Sequence, residues 1–221
     1  LAAPGIAARA EPGQFVHLRC GPELPLRRPL SILRASARDG AVALLYKAVG
    51  AGTRLLTTRR AGETLSVIGP IGQPFDLDAA RPRVIAIGGG VGMPPMLFLA
   101  ERLRGTAFRP LLLLGSEVAF PFQPRPSTLM LEGMPAAVIA ALPLAEDWGV
   151  PSRLASGQGF PGCFEGHVTA LADAYLATLD EAALNATQIA ACGPTPMLRA
   201  AAAVAARFGL PAQLCLEEHM A

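Results

Sequence analysis

The 221-residue sequence has no uninterrupted apolar run long enough to cross a bilayer, although 52% of it is hydrophobic. No membrane span is therefore expected, and the apolar excess reads as the packed interior of an α/β protein. Charge of either sign is scarce: 19 basic against 17 acidic residues leave a net charge of +2. Without a broad basic field, no nucleic acid partner is indicated. The four cysteines (Cys20, Cys163, Cys192, Cys215) stand far apart, with neither zinc-site spacing nor a dense disulfide framework. His17, His167 and His219 are isolated, and structural or surface roles outweigh metal ligation for them. Lysine occurs once, at Lys47, a compositional bias that decides nothing alone. With cysteines this sparse and scattered, a reducing, cytoplasmic setting is expected, and the sequence shows neither repeats nor a low-complexity linker. The chain starts at Leu1 rather than a methionine, which leaves room for preceding residues.

What the sequence does have is two glycine–proline turns more than a hundred residues apart. The apolar run Val84-Ile85-Ala86-Ile87 leads into Gly88-Gly89-Gly90-Val91-Gly92-Met93-Pro94-Pro95. Ile189-Ala190-Ala191 leads into Cys192-Gly193-Pro194-Thr195-Pro196-Met197. Each reads as a buried parallel strand, a turn nearly without side chains, and a helix with proline in its first turn. Backbone approaches a ligand closely only where side chains are absent, and a helix N-terminus offers unpaired N–H groups to phosphate. Two such turns at strand carboxyl ends make a crevice for a dinucleotide. Gly88, Gly90 and Met93 do not complete G-x-G-x-x-G, so the ordinary fingerprint is absent. Cys192 sits where its thiol could meet a nicotinamide ring; filling a tight turn is an equally good reading.

Residues 1 to 79 read as short strands between turns: Gln14–Cys20, Ser31–Ser36, Val42–Val49 and Thr64–Ile68, with a helical turn over Thr53–Arg59 capped by Thr53. That spacing predicts a small antiparallel β-barrel. From residue 80 to 221 strands alternate with helices: Pro94–Arg104, Val168–Leu179 and Pro196–Phe208 helical, Leu111–Leu114, Gln188–Ala191 and Gln213–Glu217 extended, with a further apolar stretch at Val138–Leu142. This predicts a doubly wound parallel sheet. In the first half, Arg28-Pro29-Leu30-Ser31 holds a guanidinium beside a fixed backbone, as a diphosphate requires. Leu45-Tyr46-Lys47 and Gly52-Thr53 add an aromatic face, a cation and a helix start. A surface arginine and a barrel-packing tyrosine are the plain alternatives.

These motifs, in this order, resemble the ferredoxin–NADP⁺ reductase superfamily, and within it most closely the electron-transfer subunit of class 1B dihydroorotate dehydrogenase. The resemblance runs from Pro12-Gly13-Gln14-Phe15-Val16 through Arg28–Ser31, Gly50–Thr53, Gly69-Pro70-Ile71-Gly72 and both glycine turns to Leu216-Glu217-Glu218-His219-Met220-Ala221. It implies a flavin-binding β-barrel (1–79) joined to an NAD-binding α/β domain (80–221). Arg28, Pro29, Leu30 and Ser31 would hold the flavin and its phosphates, Leu45, Tyr46 and Lys47 would line FAD, and Gly52 and Thr53 would cap its pyrophosphate. Gly88, Gly89, Gly90, Gly92, Cys192, Gly193 and Pro194 would meet the nicotinamide.

The resemblance further implies electron transfer between NAD and an FMN-containing dihydroorotate dehydrogenase catalytic subunit, through FAD and a [2Fe-2S] cluster, in pyrimidine biosynthesis. In the family the Glu-Glu-x-Met-Ala ending runs into the cysteine-rich cluster segment, so three or four closely spaced cysteines are expected past Ala221. Two rivals remain. One is an NAD(P)H-dependent flavin reductase subunit serving a ferredoxin or hydrogenase; the other is a non-catalytic subunit that has lost its flavin.

Overall fold

The computed structural model describes residues 1–216. After a short helix α1 (Pro4–Ala7), strands β1 (Phe15–Arg19), β2 (Arg28–Ser36) and β3 (Ala41–Leu44), helix α2 (Ala51–Leu56) and strand β4 (Ser66–Ile71) make up the first part of the chain. The strands form an antiparallel sheet in the order β3-β2-β1-β4. Val16 and Leu18 of β1 and Leu30 and Ile32 of β2 alternate inward, the period-two burial of a sheet with one wet face. β3 and β4 are its edges, with no pairing between them among the described residues.

Among the boundaries that differ from the sequence reading, three bear on the site. β3 ends at Leu44, which leaves Leu45, Tyr46 and Lys47 in the coil that follows rather than in a strand. α2 starts two residues earlier than expected, with Gly50 at the N-cap and Thr53 one turn in. The Thr53 hydroxyl accepts from the Gly50 and Val49 amides, both at 3.1 Å, and so closes the turn from within. β4 continues through Gly69-Pro70, which the sequence suggested as its stop.

The second sheet is parallel and six-stranded. The elements of this part of the chain, in order, are β5 (Arg83–Gly89), α3 (Met93–Leu103), β6 (Arg109–Gly115), β7 (Arg125–Pro126), β8 (Ala140–Ala141), α4 (Pro143–Asp147), β9 (Ser152–Ser156), β10 (Phe164–Glu165), α5 (Val168–Leu176), α6 (Glu181–Asn185), β11 (Thr187–Gly193), α7 (Thr195–Arg207) and β12 (Ala212–Leu216), of which β7 and β8 pair only with each other. The strand order is β10-β9-β6-β5-β11-β12. From β5 the chain steps outward through β6, β9 and β10, then crosses back to β11 and β12, so the order reverses between β5 and β11. In open α/β sheets that switch point is where ligands bind.

The apolar stretch Val138–Leu142 does not supply a parallel strand. Only Ala140–Ala141 is extended, paired antiparallel with Arg125–Pro126, and the strand beside β6 is the more polar Ser152–Ser156. The Ser152 hydroxyl accepts from the Leu142 amide at 3.0 Å, which satisfies it at full burial.

α3 is buried on nearly every side because it is shared by both sheets. Met96 and Ala100 pack with Val84, Ala86 and Leu112 of the parallel sheet. Phe98, fully buried, instead joins Val16, Leu18 and Ile32 of the antiparallel one. At the rim of this contact Arg34 pairs with Glu101 at 2.6 Å, and Arg102 donates to the Ala10 carbonyl at 3.2 Å. The connecting segment is pinned by buried Gln188, which accepts from the Asp78 amide and donates to the Asp78 and Arg81 carbonyls. α5 and α7 cover the opposite face of the parallel sheet. The last strand is seen to Leu216; its expected end at Glu217 and the expected direction of Met220-Ala221 lie outside the described residues.

Candidate functional site: a crevice at the sheet's switch point

The two glycine turns meet. β5 and β11 lie side by side with Gly88 opposite Cys192 in register, and both strands end there. After β5 a single 3-10 turn over Gly90–Gly92 leads into α3; after β11, Pro194 leads into α7. The N-termini of two helices, 11 and 13 residues long, thus emerge from neighbouring strands at one end of the sheet. At α3 the donors are few, since Pro94 and Pro95 have no N–H and the Met93 amide donates to the Gly90 carbonyl. At α7 the Thr195 and Met197 amides precede the first intrahelical bond, from the Leu198 amide to the Pro194 carbonyl, and suit anionic oxygen.

The absent side chains serve two purposes. At Gly88 a β-carbon would stand 3.1 Å from the Met93 α-carbon and 3.0 Å from Leu114 Cδ2, so strand and helix touch there. At Gly92 it would collide with the Cys192 carbonyl, at Gly89 with the Met197 sulfur, and at Gly193 with the Met197 methyl. These glycines let the turns close on each other. Gly90 differs: it is exposed, its φ of +56° favours glycine, and a β-carbon there would meet nothing within 4 Å. Its backbone is the part of the turn open to a ligand.

Cys192 is 3% exposed and lies among Met93, Met96 and Leu114, on the side of the sheet against which Leu33 and Phe75 also pack. It is in no disulfide. Cys215 is its register partner on β12, and the Cys215 thiol reaches the Gly13 carbonyl at 3.8 Å.

A second group forms at the start of β2. Arg28 opens the strand, as the Arg28-Pro29-Leu30-Ser31 motif suggested, with Leu30 buried and Ser31 opposite Phe15. The Arg28 side chain lies against α2: a β-carbon on Gly52 would stand 2.9 Å from Arg28 Nε. The first intrahelical bond of α2 runs from the Arg54 amide to the Gly50 carbonyl, so the amides of Ala51, Gly52 and Thr53 precede it. The structure therefore brings Arg28 and Gly52-Thr53 together. Tyr46 packs half-buried against the antiparallel-sheet core, beside half-buried Leu45, and Lys47 is exposed.

Sequence reasoning missed the floor of this second group. Cys20 is fully buried, its sulfur 3.4 Å from a β-carbon placed on Gly52, and its carbonyl accepts from Arg59 Nε at 3.0 Å. Burial pushes its thiol above the ordinary value, and the Arg28 and Arg59 charges pull it back in part. Burial alone raises Cys163. Also unforeseen is a cavity of about 500 Å³ lined by Phe120, Phe122 and Phe160, with ring centroids 5.3 and 6.2 Å apart. The Phe-Pro-Phe of residues 120–122 was its one signal.

Three side chains bear on where an adenosine could lie beyond β6: Glu117, Arg125 and Arg153. Glu117 is exposed just beyond β6. Both arginines are tied elsewhere. Arg125 pairs with Asp147 at 2.5 Å and donates to the Pro143 carbonyl. Arg153 is 5% exposed and donates to the Ser152 and Leu129 carbonyls at 2.7 and 2.8 Å; burial holds its pKa below the usual value.

No protein-family model matches the chain. It is 30% identical over 220 residues to the dihydroorotate dehydrogenase B (NAD(+)) electron transfer subunit of Desulforamulus reducens, covering 99% of this chain and 75% of the relative. The subunit of the same name from Geobacillus thermodenitrificans is 33% identical over 220 residues, covering 97% and 74%. Among solved structures, an NADH-dependent reduced ferredoxin-NADP oxidoreductase superposes with a TM-score of 0.72 at 23% identity, covering 99% of this chain and 70% of that one. A ferredoxin reductase of carbazole 1,9a-dioxygenase gives 0.67 at 21%, covering 93% and 60%. These structural likenesses show the fold.

Proposed function

The chain belongs to the family of dihydroorotate dehydrogenase B electron transfer subunits, and from that premise we propose that it is an FAD-dependent oxidoreductase subunit. It passes electrons between NAD and an FMN-containing dihydroorotate dehydrogenase catalytic subunit, by way of FAD and a [2Fe-2S] cluster, in pyrimidine biosynthesis. The reading comprises a flavin-binding barrel domain over residues 1–79 and an NAD-binding domain over 80–221, in a cytoplasmic hetero-oligomer.

The observation that carries the reading is the meeting of the two glycine turns at the β5–β11 switch point, with Gly88 in register with Cys192. The residues present also fit a flavin dinucleotide. Arg28 lies against Gly52, where a side chain would displace its guanidinium, and it has no carboxylate partner among the described residues. A diphosphate would receive the Arg28 fork and the amides of Gly52 and Thr53. Pro29, Leu30 and Ser31 fix the strand that carries Arg28; Leu45, Tyr46 and Lys47 lie on the coil leading to α2 and would border the flavin.

When bound, FAD supplies the exchange between two-electron nicotinamide chemistry and single-electron transfer. The protein's part is to bind and orient. Gly90 and the first turn of α7 would take the NAD pyrophosphate, with Gly88, Gly89, Gly92, Gly193 and Pro194 shaping the turn. Cys192 would border the nicotinamide from below. The adenosine end would lie beyond β6, where Glu117 accepts from ribose hydroxyls and the Phe120–Phe122–Phe160 cavity offers ring faces. [2Fe-2S] clusters are held by closely spaced thiolates, and no group of three metal-ligating side chains occurs among the described residues. No ligand for the cluster is therefore assigned within them.

The test is spectroscopic. The protein reconstituted with FAD should retain it through gel filtration and show flavin absorbance that NADH bleaches without oxygen. A colourless protein after reconstitution would sink the flavin assignment and favour a binding subunit.

A further inference from the structure

At the opposite end of the parallel sheet, where its strands begin, lies a cavity of about 360 Å³ that none of the preceding chemistry uses. Three arginines line it: Arg83 at the start of β5, Arg109 at the start of β6, and Arg104 just past α3. Arg83 and Arg109 are register partners on adjacent parallel strands, so two guanidinium groups spring from neighbouring backbone positions. Like charges placed directly opposite one another destabilise a sheet. Among the described residues no carboxylate offsets them: the ion pairs there engage Arg34, Arg59, Arg125 and Arg207 and none of these three.

Their hydrogen bonding is also incomplete. Arg83 donates to the Tyr175 hydroxyl at 3.5 Å, its one side-chain bond among the described residues. Arg104 lies over the Trp148 ring at 5.5 Å and Arg109 has no side-chain partner there. A guanidinium carries five donors in a planar fork, so most of this donor capacity is unspent. The remaining wall is apolar, from Phe108, Pro110, Leu131 and Leu179. A concave space of this size, mostly apolar with a few converging charged groups, is what a small-molecule site looks like.

We propose that this groove binds an organic phosphate monoester. Its dianion would sit between Arg83 and Arg109, with Arg104 at the rim, and its uncharged body would lie along Leu131 and Leu179. Phosphate is preferred to carboxylate because Arg83 and Arg109 spring from paired positions on adjacent strands, and a dianion neutralises more of their charge through bidentate contacts. The site is separate from the crevice: β5 runs from Arg83 to Gly89 between them, about 20 Å of strand. The inference therefore does not rest on the flavin or NAD assignment, and it stands or falls independently.

Calorimetric titration of the FAD-reconstituted chain, with NAD⁺ saturating, tests it with phenyl phosphate as the probe. The expected result is one site per chain that Arg109→Met weakens at least tenfold. The exposed Arg109 side chain makes this variant safe for folding, and Arg104→Met serves as a second, expected to weaken binding less. Leu131→Ala should weaken phenyl phosphate while leaving inorganic phosphate unchanged. Absence of binding, or equal affinity in Arg109→Met, overturns the proposal. Inorganic phosphate binding as tightly as phenyl phosphate would mean a bare anion patch and would also overturn it, as would tighter binding of benzoate.

Discussion

The carbonyl of Cys192 occupies the place where a side chain at position 92 would have to go. Two turns separated by a hundred residues of sequence are thereby locked backbone to backbone at the end of the central strands. Gly92→Ala should force them apart. Overpacking of this kind costs about 1–3 kcal/mol, so the variant should melt several degrees lower and show slower flavin reduction by NADH. A variant with unchanged Tm and unchanged reduction would show that the turns do not depend on this contact.

Arg28→Ala should weaken FAD retention while leaving the fold intact. A charge-assisted hydrogen bond is worth about 1.5–3 kcal/mol, which corresponds to roughly ten- to hundredfold in Kd. Flavin content after gel filtration, compared with Arg27→Ala as a neighbouring control, measures it. Equal flavin content in both variants would move the pyrophosphate away from α2.

Much of this site could be read in the sequence, and the reasons differ by residue. Gly88–Gly92 and Gly193-Pro194 were legible because missing side chains after an apolar strand leave a direct trace. The nearness of Arg28 to Gly52 was legible only as a shared chemistry; their contact depends on how α2 folds back over β2. β9 was missed because Ser152 and Arg153 look polar, and only tertiary hydrogen bonds make their burial tolerable. Val138–Leu142 misled for the converse reason, an apolar run that packs without joining the parallel sheet. The arginines of the far groove are scattered at 83, 104 and 109, and only strand register assembles them.

Cys192→Ser should slow reduction of the flavin by NADH and leave FAD bound. The thiol is buried beside Met93 and Met96, so the hydroxyl will also be a poorer neighbour for them. Stopped-flow reduction at saturating NADH separates the two effects, because a packing change alone lowers Tm without changing the limiting rate. A wild-type limiting rate would reduce Cys192 to a packing residue.

Cys20 gives a pH dependence. Burial raises its thiol pKa in the folded protein, so the folded state holds this proton more tightly than the unfolded chain does. Its contribution to stability is fully present below the unfolded thiol pKa and is lost as pH rises through the folded value. Chemical denaturation across the alkaline range should show a decline that is shallower in Cys20→Ala. An identical slope in that variant would remove Cys20 from the explanation.

NADH should be preferred to NADPH. A 2′-phosphate needs a free cation near the adenosine, whereas Arg125 is held by Asp147 and Arg153 is buried against backbone carbonyls. A higher kcat/KM for NADPH would overturn this assignment.

The central claim is that this chain carries a flavin which a nicotinamide cofactor reduces at the β5–β11 crevice. Anaerobic stopped-flow mixing of the FAD-loaded protein with NADH tests it most directly. The account predicts rapid bleaching of the bound flavin near 450 nm, with saturation in NADH, and marked slowing in Gly92→Ala. Flavin that dithionite bleaches but NADH leaves oxidised would contradict it.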